Sequence, residues 1–489
     1  MTSSDAIAAP DDGSWWKRPA GGREVMTVAV PLVVSTISWT VMTFADRMFL
    51  NWLSETAMSA AFSSSVIWFA VFCLPMGICG YVNTFVSQYH GNQQPERIGP
   101  SVWQGMWLAL LVTPLAVIAI PLAPWIFSWT RHSPDVLSQE ILYFQVLCYS
   151  GPALLVATAL SAFYSGRGKT WVVMLVDASV TSVNLVLDFL WIFGYAGFPE
   201  MGIAGAGWAT VAALWLKAII YFVLVMRREN RVNYFTLAGA KPDRELFGRL
   251  VYFGGPSGLQ VLLDVLGFTV FIVLMGRTGQ MESAATTLAF SVASVAFMPI
   301  WGLSMAVQVL VGQHLGENRD DLAARATWTS LHIACAYIGF ISVLYVFTPD
   351  LFLDPFLNGN HADVEEKAAL RTMASNLLCI VAAYNLMDAT FMVFVSAVKG
   401  AGDTRFVMIV SVLMGILLAT LSWLTIEVLQ LNIYGCWMAV TAWICAMGVI
   451  FLIRFLGGKW RSMRVIESHA LPETAVAIEL AVLPEPVSD

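Results

Sequence analysis

The chain has 489 residues, of which 58% are hydrophobic and only 12% are charged. Ordinary soluble domains carry roughly twice that charged fraction, so the composition argues against a conventional soluble protein. The formal net charge of −7 is modest, and no basic tract suggests a nucleic-acid partner.

The hydrophobic residues fall in runs of about 20 or more, which is the length that crosses a lipid bilayer. We therefore predict an all-α membrane protein with twelve spans, and we expect the lipid bilayer to be its surroundings. The predicted spans are 25–51, 57–87, 99–126, 137–164, 170–197, 203–227, 247–276, 283–313, 323–348, 368–397, 404–429 and 432–456. The tails at 1–24 and 457–489 flank them, and the first tail does not resemble a signal peptide.

Lys and Arg residues concentrate near both chain ends and in the even-numbered loops, where Lys399 is counted between spans ten and eleven. The odd-numbered loops hold only Arg131, Arg277, Lys367 and Arg371. Because positive residues favour the cytoplasmic side, we expect both termini to be cytoplasmic in a plasma (inner) membrane.

The longest internal polar stretch, residues 228–246, separates an N-terminal lobe at 25–227 from a C-terminal lobe at 247–456. The two halves resemble each other, because residues 86–91 align with 311–316 at an offset of 225, and residues 165–170 align with 399–404. Six spans per half preserve the topology, so the repeats are parallel and enclose a central cleft. A transporter, a channel and a lipid translocator all fit this pattern.

Four carboxylic acids lie well inside predicted spans, namely Asp46, Asp188, Asp264 and Asp388. Each costs about 3 kcal/mol at a helix centre. One such acid is as often a satisfied structural group as a functional one. Four in one bundle favour a site that couples transport to H⁺ or to another cation.

Two groups of acids follow from the spacing. Asn184 and Asp188 are four residues apart in span five and share one helix face. Their oxygens suit a proton or a hard cation such as Na⁺, and Asp46 could complete that site. Asp264 and Asp388 could face the same cavity in the second half. The two groups are not repeat equivalents, so the halves share a fold but differ in chemistry.

No nucleotide-binding motif of the GxxxxGK[ST] type is present, so we expect no cofactor and an ion gradient as the energy source. A lipid-linked precursor flippase would favour a cleft rich in Arg or Lys, a channel would favour symmetric pore-lining residues, and an intramembrane enzyme would favour HExxH or GxSxG. The acids and few bases of the candidate cleft spans disfavour the flippase, the asymmetry of the acids disfavours the channel, and the sequence contains neither enzyme motif.

Four segments have an order and a spacing that are specific in combination. They are Phe44–Phe49, Val183–Phe189 leading to Gly205–Thr210, Gly255–Gln260 followed by Asp264, and Met387–Ala389 followed by Lys399–Arg405. Together they resemble the multidrug and toxic compound extrusion (MATE) family, and in particular its NorM-like branch, over residues 25–456.

The resemblance implies a V-shaped bundle of two six-helix lobes that exchanges H⁺ or Na⁺ for organic, often cationic and aromatic, compounds by alternating access. It implies a transporter that acts as a monomer on small organic substrates. The implied N-lobe cation site is Asp46, Asn184, Asp188 and Thr210, with possible Na⁺ at the first three. The implied C-lobe acids are Asp264 and Asp388, although the NorM-like branch usually has Glu at the position of Asp264. Candidate residues of the substrate cavity are Trp39, Gln260 and Asn385.

Overall fold

The computed structural model of the protein describes residues 14–129, 132–357 and 364–467. Within these ranges the regular secondary structure is helical. The first half contains α1 Gly22–Leu53, α2 Glu55–Gly80, α3 Val82–Gly91, α4 Pro95–Phe127, α5 Pro134–Cys148, α6 Gly151–Ser165, α7 Thr170–Phe193, α8 Ile203–Val225 and α9 Arg228–Asn233. The second half contains α10 Arg244–Met275, α11 Gln280–Gly316, α12 Asp320–Phe347, α13 Pro349–Leu357, α14 Val364–Ala401, α15 Thr404–Trp423 and α16 Ile433–Leu456. The predicted loop residue Arg131 and the outer parts of both predicted tails lie outside the described residues.

The predicted all-α membrane architecture is confirmed. Eleven helical segments of the described chain are long and apolar enough to cross a membrane, and there are twelve when the bent pair α5 and α6 counts as one span. The pair bends by 40° ahead of Pro152, which lacks the backbone N–H that would continue the helical hydrogen bonds. Helices α2 and α3 together form the second span.

Each half repeats the same internal packing. The first and fifth spans pack together in both lobes, as α1 with α7 and as α10 with α15. The second and fourth spans also pack together in both, as α2 with α5 and as α11 with α14. Equivalent spans of the two halves therefore pack in the same pairs, as the internal sequence repeat indicates.

The stretch between the lobes is fixed against α4. Trp107 Nε1 donates a hydrogen bond to the Ala240 carbonyl at 3.0 Å, and the Gly99 backbone N–H donates to the Tyr234 carbonyl at 3.1 Å. Helix α10 begins at Arg244, slightly before the predicted residue 247, because the Asp243 side chain caps its first turn. The connection between the lobes is therefore largely ordered.

A reciprocal pair of hydrogen bonds joins the two lobes. Gln88 Nε2 of α3 donates to the Gly400 carbonyl at 2.9 Å, and Gln313 Nε2 of α11 donates to the Gly166 carbonyl at 2.8 Å. Gln88 and Gln313 are aligned in the sequence repeat, and so are Gly166 and Gly400. The contact is consequently self-complementary about the pseudo-twofold axis, as in a symmetric dimer. We call these four residues the interlobe seal.

The first and last described segments of the chain lie at the same end of the bundle, near the start of α12. Thr329 Oγ1 of α12 donates to the Ala20 carbonyl at 3.0 Å, and Arg461 forms a 3.0 Å ion pair with Asp320. The C-terminal segment adds to the seal there, because the Val465 backbone N–H donates to Gln88 Oε1 at 2.8 Å. The described segments around Ala20 and Val465 are thus on the side of the bundle that the seal closes.

The lobes also meet near the middle of the bundle. Thr36 Oγ1 of α1 donates to the Met298 carbonyl of α11 at 3.1 Å. Gly77 of α2 faces Gly258 of α10 so closely that a Cβ on Gly77 would lie 2.6 Å from the Gly258 Cα. The interlobe hydrogen bonds described here lie between this level and the terminal end, so the cleft between the lobes opens at the opposite end.

Candidate cation and substrate sites

The structure brings three of the predicted N-lobe residues together. Asp46 of α1 is 8% exposed, and Asn184 and Asp188 of α7 are fully buried. With its side-chain nitrogen facing the acids, Asn184 donates to Asp188 Oδ2 at 3.1 Å and to Asp46 Oδ1 at 3.3 Å. The packing of α1 on α7 and the one-turn spacing of Asn184 and Asp188 create this cluster.

The two carboxyl groups of this cluster are close enough to share a hydrogen bond. Asp188 Oδ1 is buried and has no hydrogen-bond partner among the described residues. Two adjacent buried carboxylates repel each other, and an unpartnered buried oxygen loses its hydration. A proton or a cation at this point would relieve both penalties, so the chemistry of the cluster suits either one.

Thr210, the fourth predicted residue, lies on α8, which packs against α7. Its side chain is 8% exposed, and its hydroxyl has no hydrogen-bond partner among the described residues. The hydroxyl is therefore free to serve as a ligand or donor in the same lobe.

Sequence reasoning missed Tyr143 of α5. Tyr143 is 3% exposed and lies within electrostatic range of both Asp46 and Asp188. No local spacing relates a tyrosine of span four to acids of spans one and five, so only the fold reveals it. The Arg47 guanidinium lies 5.0 Å from the centre of the Phe62 ring and within electrostatic range of Asp46 and Tyr143.

The C-lobe acids do not form a comparable pair. Asp264 Oδ2 of α10 accepts a 2.7 Å hydrogen bond from Gln260 Nε2, and Gln260 Oε1 accepts a 3.0 Å hydrogen bond from Lys399 Nζ. Asp388 of α14 is partly buried, and no hydrogen bond or ion pair joins it to Asp264 in the described part of the chain. The structure therefore gives the two acids separate surroundings.

Lys399 does not lie in a loop, where the sequence pattern places it among the cytoplasmic cations. It lies within α14, and its side chain turns into the C-lobe. A lysine near the predicted end of a span is easily assigned to the adjacent loop, because hydropathy places helix ends only approximately.

The three candidate cavity residues have different surroundings. Trp39 of α1 is 36% exposed, whereas Gln260 and Asn385 are 7% exposed. Asn385 Nδ2 donates to Ser342 Oγ at 3.2 Å and so connects α14 to α12 within the C-lobe. Asp177, a further acid of α7, has a partner of its own in a 2.8 Å ion pair with Lys217.

Known proteins share both the sequence pattern and the fold. The chain is 27% identical over 413 residues to the "Probable multidrug resistance protein NorM" of Rhizobium meliloti, covering 84% of this chain and 87% of that protein. It is 26% identical over 391 residues to the "Multidrug resistance protein PmpM" of Pseudomonas aeruginosa, covering 80% of each. A solved outward-facing MATE transporter of the MOP superfamily matches with a TM-score of 0.81 and 15% identity, covering 91% of this chain and 97% of that one.

The MatE family model matches residues 31–190 and 256–424, which is more than half of the chain. The two matched ranges begin 225 residues apart, which is the offset of the internal repeat. The predicted V-shaped, two-lobed architecture is confirmed by these matches together with the solved structures. The chain therefore belongs to the MATE family, in its NorM-like branch.

Proposed function

We propose that the protein is an ion-coupled antiporter that exports organic, often cationic and aromatic, compounds from the cell. The observation that carries this proposal is the buried cluster of Asp46, Asn184 and Asp188 beside a cleft between two lobes. The names of its relatives as multidrug resistance proteins support the choice of substrate class. No nucleotide-binding motif offers another source of energy.

The N-lobe cluster suits H⁺ and Na⁺ through two orientations of one amide. With the Asn184 nitrogen facing the acids, the two carboxyl groups are bridged by donors and can share a proton. With the amide turned over, its oxygen joins the two carboxylates and offers the all-oxygen surroundings that a hard cation prefers. One charge that moves across 100 mV contributes about 2.3 kcal/mol to export.

Helix α1 connects ion binding to the cleft. It carries Asp46 in the ion cluster, Trp39 on an exposed face and Thr36 at the contact with the other lobe. It also contains Pro31, which weakens its hydrogen bonding at that point. Ion binding at Asp46 changes how α1 packs against α7, and this change releases the substrate and lets the lobes alternate.

The orientation of the protein in the membrane follows from the distribution of its Lys and Arg residues. With both termini in the cytoplasm, the interlobe seal closes the cytoplasmic side and the cleft faces outward. In this state the higher external ion concentration loads the N-lobe cluster. The protein works in the plasma (inner) membrane, and one chain contains both lobes and is the functional unit.

Export of ethidium by proteoliposomes tests the proposal, with a pH gradient and a Na⁺ gradient imposed separately. The wild type responds to at least one gradient, and Asp188→Asn loses that response because the remaining carboxyl no longer shares its charge with a second acid. The double variant Asp177→Asn/Lys217→Gln is a matched control, because it changes an acid of the same helix together with its ion-pair partner. Normal gradient-driven export by Asp188→Asn contradicts the assignment.

A further inference from the structure

Three side chains form a polar chain inside the C-lobe. Lys399 Nζ donates to Gln260 Oε1 at 3.0 Å, and Gln260 Nε2 donates to Asp264 Oδ2 at 2.7 Å. The Gln260 amide thus has its oxygen toward the cation and its nitrogen toward the carboxylate. This is the one orientation that satisfies both charged groups at once.

The hydrogen-bonded side chains of Lys399, Gln260 and Asp264 lie close to the contact between the two lobes. The Lys399 backbone carbonyl accepts a 2.8 Å hydrogen bond from Tyr81 Oη of the N-lobe. Gly258, two residues before Gln260, faces Gly77 of the N-lobe across the mid-bundle contact. Lys399 and Asp264 therefore sit beside the closed base of the cleft, and neither needs a group from outside the protein to balance its charge.

We infer that Lys399 is a tethered counter-cation of Asp264, which sets the affinity of this acid for cationic substrates by competing with them. This inference rests on the proposed export of organic cations. A cation that binds Asp264 shares the carboxylate with the Gln260 donor and adds its charge to that of Lys399. The charge and placement of Lys399 therefore bear on cation binding at Asp264, and Lys399 acts as a positioning residue.

The positive charge of Lys399 weakens the binding of a cation at Asp264. A cation at Asp264 and the Lys399 charge, which the Gln260 amide separates, lie about 10 Å apart, and at an effective dielectric constant of about 20 they repel each other by about 1.4 kcal/mol, which corresponds to tenfold in affinity. Removing the Lys399 charge while keeping an unbranched side chain therefore strengthens cation binding. We expect Lys399→Met to bind tetraphenylphosphonium about tenfold more tightly than the wild type. Lys399→Arg keeps the charge and should bind like the wild type.

The measurement is equilibrium binding of radiolabelled tetraphenylphosphonium to the purified full chain in detergent. A neutral aromatic dye, N-phenyl-1-naphthylamine, is measured in parallel, because a change in cavity shape alters binding of both ligands whereas a change in charge alters only the first. Asp264→Asn in the Lys399→Met background should abolish the gain in cation affinity, since the gain requires the acid.

Three results overturn the inference: equal cation affinity in Lys399→Met and the wild type, an equal gain in Lys399→Arg, or an equal gain for the neutral dye. If Lys399→Met does not fold, Lys399→Gln carries the same test, because it also removes the charge while keeping a donor for Gln260 Oε1, and it should also tighten cation binding. Unchanged cation affinity in that variant is equally decisive against the inference. A wild-type protein that neither binds nor exports organic cations contradicts the proposed function instead, whereas normal export with no effect at Lys399 contradicts only the counter-cation.

Discussion

In the proposed alternating-access cycle, the interlobe seal sets the balance between two states of the transporter, and its two glutamines allow that balance to be changed selectively. Gln313 makes one described interlobe hydrogen bond, to Gly166, whereas Gln88 makes two, to Gly400 and to the Val465 backbone. A hydrogen bond of this kind contributes about 1 kcal/mol net. Gln313→Leu should therefore weaken the closed seal by about 1 kcal/mol and Gln88→Leu by about 2 kcal/mol. The second value changes the ratio of the two states about 30-fold.

Double electron–electron resonance measures this change directly. Spin labels at Lys169 and Arg319, which are exposed residues next to the seal in opposite lobes, report the distance between the lobes on that side. The variants should add a longer distance to the distribution, and Gln88→Leu should add more of it than Gln313→Leu. Gln145→Leu is the matched control, because Gln145 donates to the Ile120 carbonyl within one lobe.

The reasoning fails if the distance distributions of Gln88→Leu and Gln145→Leu are the same. It also fails if Gln313→Leu opens the seal more than Gln88→Leu, because the number of lost bonds would then not determine the effect. An increase in the longer distance that both seal variants share with the control would indicate general destabilisation of the bundle.

Two further predictions concern the mid-bundle contact and the ion cluster. Gly77→Ala should weaken the closed state and lower the melting temperature by several degrees, because the new Cβ would lie 2.6 Å from the Gly258 Cα. Gly80→Ala should be tolerated, because its Cβ meets its nearest neighbour only at 3.7 Å, and equal melting temperatures for the two variants would refute this explanation. Asn184→Leu removes the donor between the two acids, so it should lose gradient-driven export in proteoliposomes while tetraphenylphosphonium binding persists. Gradient-driven export at the wild-type rate would exclude the amide from coupling.

The sequence predicted the spans and the repeat well, because each depends on information carried along the chain. Apolar runs report bilayer length, and aligned segments report internal duplication. The adjacency of Asn184 and Asp188 was predictable for the same reason, since helical periodicity places residues four apart on one face. The site of Asp46 opposite them depended on the packing of α1 against α7, for which the family resemblance was the best guide.

Contacts between distant spans were harder to predict. Nothing in the local pattern relates Lys399 at the end of α14 to Gln260 in the middle of α10, and its position next to a loop suggested a solvent-exposed cation. Tyr143 beside the N-lobe acids is a similar case. Asp264 and Asp388 are the opposite case, in which the sequence suggested a contact that the structure does not contain. Two intramembrane acids in one lobe suggested a pair, but the structure gives them different neighbours.

The glycine contact between α2 and α10 has a mechanical consequence. Where Gly77 meets Gly258, two backbones touch directly, and the Ile78 side chain beside them packs against Gly254 and Gly258, so few side chains need new rotamers when one helix tilts against the other. Gln88 lies 11 residues along the same span, which corresponds to a lever arm of about 16 Å. A tilt of about 15° around the glycines therefore carries Gln88 through about 4 Å, farther than its 2.9 Å hydrogen bond can stretch. A small rotation about the Gly77–Gly258 contact is therefore enough to break the interlobe hydrogen bonds of Gln88.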